Sequence, residues 1–183
     1  MSETLQPVGP YVVLEEVNKK VDMIGDIVVP DIVQEQTVKF KVTGLGTGLE
    51  DFEFPVKVGD IVLASRTGST LTKQGDKEVL QVKTGNLIAR FANEDDTVPM
   101  EMFEPHVLIY PISPPTKLVG GIIVNATITD TPRYKVYTAY KGSSLKQGDL
   151  IITLNTTISE IGNQSVYTTL EEDVMCVLEE QEV

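Results

Sequence analysis

The 183-residue chain has one cysteine, one histidine and no tryptophan. A single thiol, Cys176, rules out an intrachain disulfide and any thiolate-rich metal centre. It stands in an apolar run and reads as a small buried residue rather than a nucleophile. His106 is the sole imidazole, and no second ligand lies near it in sequence. Neither a metal site nor catalysis through a histidine base is expected, and no catalytic, cofactor or metal residue is assigned. No run of about 18 apolar residues exists, so no membrane-spanning helix is expected. Positive charge is scarce. Lys and Arg total 15 against 27 Asp and Glu, a net charge of −12. Phosphate recognition needs a basic surface, which excludes nucleic acid as a partner. The opening residues, Met1-Ser2-Glu3-Thr4, lack the basic and apolar parts of a signal peptide, and a cytoplasmic protein is the expectation.

Helical periodicity is almost absent as well. Short apolar runs alternate with Gly, Pro and Asp, the punctuation of an all-β barrel or sandwich. Strands are predicted over 11–16, 39–45, 60–65, 77–83 and 87–90, and again over 106–110, 134–140, 149–154, 165–170 and 174–178. The two sets are related. Pro10-Tyr11-Val12-Val13-Leu14 pairs with Pro105-His106-Val107-Leu108-Ile109 at an offset of 95. Val58-Gly59-Asp60-Ile61-Val62-Leu63 pairs with Gln147-Gly148-Asp149-Leu150-Ile151-Ile152 at an offset of 89. Asn86-Leu87-Ile88-Ala89 pairs with Asp173-Val174-Met175-Cys176 at an offset of 87. The offset shrinks in steps, so the second copy is shortened only between shared elements, where a fold tolerates loss. Copies of roughly 85 residues are near the low end for independent stability, which favours oligomerisation. Glu94-Asp95-Asp96-Thr97-Val98-Pro99 reads as the connection, and the apolar Met100-Glu101-Met102-Phe103 as the start of the second module.

One pair of repeated segments is of a different kind. Gly25-Asp26-Ile27-Val28-Val29-Pro30-Asp31 and Gly120-Gly121-Ile122-Ile123-Val124-Asn125-Ala126 are also 95 positions apart. Each places three aliphatic residues after a glycine, inside a stretch without regular period. Such residues bury poorly in their own module and suggest a sticky tip offered to a partner. The alternative for the same residues is an ordinary edge strand packed on its own barrel. That alternative is stronger in the second copy, where Ala126-Thr127-Ile128-Thr129 alternates.

The ordered series Gly25 to Asp31, Lys39-Phe40-Lys41-Val42-Thr43-Gly44-Leu45-Gly46, Val58 to Leu63, Glu78-Val79-Leu80 and Asn86 to Ala89 resembles the GroES co-chaperonin family. Residues 7–91 carry the resemblance well and 103–179 more faintly. It implies two tandem GroES-like small β-barrels: barrel 1 over 5–91, an acidic linker over 92–102, and a divergent barrel 2 over 103–180 that lacks the roof hairpin. It implies a noncatalytic, ring-forming lid that binds the ATP-bound ring of a GroEL-type chaperonin through mobile loops and encloses unfolded client protein. By position, Ile27, Val28 and Val29, with Ile122, Ile123 and Val124, would be the chaperonin-binding residues. Gly25, Gly120 and Gly121 would be the loop hinges. Ring contacts of the family run between first and last strands, which points to Tyr11 to Glu16 and Leu87 to Arg90 with their counterparts. The sequence departs from the family in two places. Only Gly46 to Pro55 could supply a roof in the first copy, and Lys141 to Gln147 is too short for more than a tight turn. Arg66-Thr67-Gly68-Ser69-Thr70 stands where a chamber-facing tyrosine is common.

The second reading is a structural or assembly protein, viral and in a host cytoplasm, that reuses the barrel. An enzyme is not expected. The dehydrogenases that contain a GroES-like domain need a set of Cys and His ligands, which this chain lacks. Gly44-Leu45-Gly46-Thr47-Gly48 does not fit the dinucleotide fingerprint and precedes no helix.

Overall fold

The computed structural model describes residues 6–17, 23–24, 27–28, 37–47, 52–75, 77–112, 117–119, 122–124, 132–161 and 164–178. The chain is all-β among these residues. Two compact units divide it, 1–103 with 159–164 and 104–158 with 165–183. The strands of the first half are β1 (Tyr11–Glu16), β2 (Met23–Ile24), β3 (Ile27–Val28), β4 (Thr37–Leu45), β5 (Ile61–Ser65), β6 (Thr70–Gln74), β7 (Lys77–Lys83), β8 (Leu87–Phe91) and β9 (Glu101–Met102). The strands of the second half are β10 (His106–Ile112), β11 (Lys117–Val119), β12 (Ile122–Val124), β13 (Arg133–Ala139), β14 (Leu150–Thr153), β15 (Thr157–Ile161), β16 (Gln164–Leu170) and β17 (Val174–Leu178).

The larger sheets have the orders β6-β7-β1-β4-β5-β8-β9 and β15-β16-β10-β13-β14-β17. Strand for strand the second order repeats the first, apart from β9. Irregularities repeat too. A register shift falls between Val13 and Leu14 in β1 and between Leu108 and Ile109 in β10. Another falls between Leu63 and Ala64 in β5 and between Ile152 and Thr153 in β14. The Gly-Asp turns are built alike. Gly59 and Gly148 have φ of 99° and 97°, the left-handed region that side chains resist. Their amides donate to the carbonyls of Val42 (2.8 Å) and Val136 (2.9 Å). The carboxylates of Asp60 and Asp149 accept from the amides of Lys57 (2.9 Å) and Lys146 (2.8 Å), closing the turn.

The apolar runs become strands covered on both faces. Val12, Val13 and Leu14 of β1 and Ile61 to Ala64 of β5 are all buried. The first core gathers Val12, Leu14, Phe40, Val42, Val62, Leu80, Val82 and Leu87, with Phe54 and Phe103 packed against it. The second core is smaller, built on Val107, Ile109, Val136, Leu145 and Ile151. Part of the difference is a polar exchange. Where β5 and β7 contribute Ala64 and Val82, β14 and β16 carry Thr153 and Thr169. The two hydroxyls share a 2.7 Å hydrogen bond, and that of Thr169 also donates to the Asn155 carbonyl at 2.8 Å. A buried hydroxyl without a partner is costly, so the threonines persist as a bonded pair.

Three sequence expectations are corrected. First, Tyr11–Glu16 cannot serve as an interface strand, because β1 sits mid-sheet with β4 on one edge and β7 on the other. Second, Met100 to Phe103 joins the first unit. The Met100 amide donates to the Arg90 carbonyl at 2.8 Å and the Phe103 amide to that of Ile88 at 2.9 Å. Arg90 adds ion pairs to Glu101 (2.5 Å) and Asp60 (3.5 Å). The reason is the edge of β8, whose unpaired amides and carbonyls need a partner that the adjacent chain supplies. Third, Cys176 is exposed. Its counterpart Ala89 is fully buried, but β17 has no strand outside it among the described residues.

Of the segment Gly46 to Pro55, residues 46–47 and 52–55 are described. Phe52 and Phe54 meet edge to face at 4.9 Å, and Val56 is buried. Lys141 to Gln147 contains no strand, and Gly142 turns the chain at φ 108°. A carboxylate pins this turn. Glu171 accepts from the amide (2.9 Å) and hydroxyl (2.5 Å) of Ser144. Burial pushes the Glu171 pKa up, but bonds from Ser144, Tyr140 and Ser143 outweigh it and hold the group at about 2. The bond to Glu171 is the main reason that the Tyr140 phenol is pushed up to about 12.

Two predictions follow from this packing. A Cβ on Gly46 would overlap the Gly9 carbonyl oxygen, whereas one on Gly85 would meet open space. Gly46→Ala is expected to destabilise the first unit by about 1–3 kcal/mol, the usual penalty of overpacking. Gly85→Ala should stay within about 0.5 kcal/mol in the same urea titration. Glu171 has a folded pKa below its ordinary 4.5, so its stabilisation is complete above that value and fades as pH falls toward 2. Glu171→Gln is therefore expected to lower the thermal midpoint at neutral pH, with the gap to the parent chain closing on acidification. A gap independent of pH would show that the carboxylate charge is not what pins the turn.

Candidate functional site

The aliphatic segments leave the two large sheets at equivalent places. One lies between β1 and β4, the other between β10 and β13, and in each case these flanking strands pair with each other. The roots of the first segment are held firmly. Glu15 and Glu16 at the end of β1 form ion pairs with Lys77 (2.6 Å) and Arg66 (2.5 Å). The Val17 amide donates to the Lys39 carbonyl at 3.1 Å. In the second segment the pairing of β10 with β13 runs on as far as Ile112 opposite Arg133. The exposed rings of Tyr110 and Tyr137 stand edge to face there, 6.4 Å apart.

Beyond the roots the backbone forms two separate two-stranded ribbons. In the first, Met23 pairs with Val28 and Ile24 with Ile27. In the second, Lys117 pairs with Val124, Leu118 with Ile123 and Val119 with Ile122. Among the described residues neither ribbon joins a larger sheet. Both sequence readings of these segments therefore change. Ile27 and Val28 are neither irregular loop nor barrel edge strand; they form β3 of a hairpin. Ile122, Ile123 and Val124 likewise form β12. Val29, Gly25, Gly120 and Gly121 lie outside the described residues. The registers leave two residues between the paired strands, Gly25-Asp26 in one ribbon and Gly120-Gly121 in the other. Such glycine-containing dipeptides between aliphatic flanks are the hairpin signal that the sequence already carried.

This arrangement suits binding rather than catalysis. An isolated two-stranded hairpin is marginal in water and is stabilised by a further strand or an apolar surface. Its outer edges keep free backbone groups that a partner can pair with. Among the described residues no group of three or more His, Cys, Asp or Glu could hold a metal ion, and no helix is long and apolar enough to cross a membrane.

Known proteins match the first half of the chain. The family model described as Chaperonin 10 Kd subunit matches residues 4–91. A co-chaperonin GroES of an Exiguobacterium strain is 34% identical over 90 residues, covering 46% of this chain and 96% of that protein. The co-chaperonin GroES of Halalkalibacterium halodurans is 32% identical over 90 residues, with 46% and 96% covered. That of Thermotoga maritima is 27% identical over 84 residues, with 46% and 91% covered. The matched span runs from before β1 to the end of β8, and so takes in the first ribbon and the strands that root it. With co-chaperonin GroES proteins matched over 91–96% of their own length at up to 34% identity, the chain belongs to the Chaperonin 10 family of GroES co-chaperonins.

Proposed function

We propose that this chain is a noncatalytic co-chaperonin. It binds the ATP-bound ring of a GroEL-type chaperonin in the cytoplasm as a homo-oligomeric lid and assists the folding of client protein enclosed beneath it. Two barrels, over 5–91 and 103–180 and joined by 92–102, each present one aliphatic ribbon. Ile27, Val28 and Val29 form one contact, and Ile122, Ile123 and Val124 the other. The carrying observation is that both ribbons rise between equivalent strands, apart from the main sheets, with aliphatic residues in the second strand of each.

The energetics favour many weak contacts. Burying one such aliphatic side chain contributes roughly 1.5–3 kcal/mol. Ordering backbone offsets much of that, at about 1–2 kcal/mol per fixed residue. A single ribbon thus binds weakly, while several on one assembly bind together through effective concentration. Weak individual contacts also let the lid leave after each cycle.

The double variant Val28→Asp/Ile123→Asp is expected to lose ATP-dependent co-sedimentation with a GroEL-type chaperonin and to retain its far-UV circular dichroism. Each single variant should weaken binding by less than half of the loss in the double, measured as free energy, because the remaining ribbons still act together. If the double variant binds as the parent does, the aliphatic ribbons are not the chaperonin contact.

A further inference from the structure

We propose that the acidic residues Glu179 to Glu182, which follow β17, dock on the second sheet against Arg133 and Lys135 and so strap the root of the second ribbon. The proposal goes beyond the chaperonin-binding reading and does not depend on it. It rests on a contact that the first unit already makes, where the chain after β8 turns back across its own sheet. The Lys39 ammonium donates to the Glu94 carbonyl at 2.9 Å and to that of Asp96, and it stands 4.2 Å over the ring of Phe91. Lys41 pairs with the Glu94 carboxylate at 3.6 Å. The Asp96 carboxylate closes the turn by accepting from the Asn93 amide at 2.8 Å. The carbonyl of the same Lys39 accepts from the Val17 amide at the root of the first ribbon. One lysine therefore joins an acidic segment to that root.

The second unit has cations in the same register. Val42 and Val136 each accept from the glycine amide of a Gly-Asp turn, which makes Lys135 the counterpart of Lys41 and Arg133 that of Lys39. Lys41 lies opposite Ile61, and Ile61 opposite Phe91. Lys135 lies opposite Leu150, and Leu150 opposite Leu178. Opposed residues share one face of a sheet. β17 therefore ends two strands away from Lys135, as β8 ends two strands away from Lys41. Two strand spacings come to about 10 Å, a distance that three extended residues span. Glu94 is the third residue after Phe91. Gln181 is the third after Leu178 and stands between Glu180 and Glu182. Residues 179–182 lie outside the described residues.

Charge favours the same contact. β1 carries Glu15 and Glu16, whereas β10, β13, β14 and β17 carry no acidic residue. Neither Arg133 nor Lys135 forms an ion pair with another described residue, and Arg133 is exposed. In a chain of net charge −12, two cations on strands without acids are a surface that an acidic segment recognises. That segment is tethered only a few residues away, so its effective concentration is high. Arg133 lies opposite Ile112, the last pair of β10 with β13 before the second ribbon. A segment docked there braces the second root as Lys39 braces the first.

Zero-length cross-linking tests this without any chaperonin. A carbodiimide joins an ammonium to a carboxylate in direct contact, and Lys41 with Glu94 serves as the positive control. Peptide mass spectrometry of the full chain at low ionic strength is expected to find Lys41 joined to Glu94 and Lys135 joined to Glu180 or Glu182. A mixture of unlabelled and nitrogen-15-labelled chains should place the Lys135 link within one chain. A Glu-specific protease should cut after Glu179 and Glu180 about tenfold faster in Arg133→Gln/Lys135→Gln than in the parent, with circular dichroism and cleavage after Glu94 unchanged. High salt should speed the same cuts in the parent, because screening weakens exposed charge pairs. Recovery of the Lys41–Glu94 link without any link from Lys135 to residues 179–182 would overturn the strap, whether or not the variant folds. Equal cleavage rates in parent and folded variant, or a Lys135 link found only between chains, would overturn it as well. Loss of chaperonin binding with these readouts intact would overturn only the lid reading.

Discussion

The central strands β1 and β10 carry the constraint on which the rest of this molecule depends. Each is paired along both edges, and Val12 to Leu14 and Val107 to Ile109 are buried. A strand in that position cannot slide, because a slip of one residue would send core side chains to the opposite face. The strand after it, β4 or β13, is locked by the same pairing. The chain between them must therefore leave and return at a fixed place, and that place is where each aliphatic ribbon stands. These pairings hold the roots of each ribbon in place.

The two units show how far a common strand plan tolerates different interiors. The first fills its core with aliphatic and aromatic side chains, including Phe40, Phe54 and Phe103. The second exchanges an apolar pair for Thr153 and Thr169 and ties a shortened turn to the Glu171 carboxylate. Each substitution brings its own hydrogen-bond partner, which is why the sheet order survives. Hydrophobic burial lost at these sites is replaced by bonded polar groups, an exchange that conserves topology more readily than it conserves stability.

Strand edges unify the remaining features. The edge of β8 recruits the residues that follow it, and among the described residues neither the edge of β17 nor the ribbons gain a further strand.

Much of this was legible in the sequence. Tyr11–Glu16, Lys77–Lys83 and Val174–Leu178 end where punctuation and apolar period place them, because local pattern and turn chemistry decide where a strand can exist. The all-β class has the same local origin. Other features depended on which backbone groups find partners, which is a matter of distant residues. Tertiary pairing put Tyr11–Glu16 in the sheet centre and drew Met100 to Phe103 back onto β8. It left Cys176 exposed, although its run of neighbours is as apolar as that around Ala89. It also paired Ile27 and Val28 with Met23 and Ile24, in a stretch where the sequence showed no regular period. Sequence determined what each segment could become; satisfaction of strand edges, which only the folded chain can supply, decided what each segment lies against.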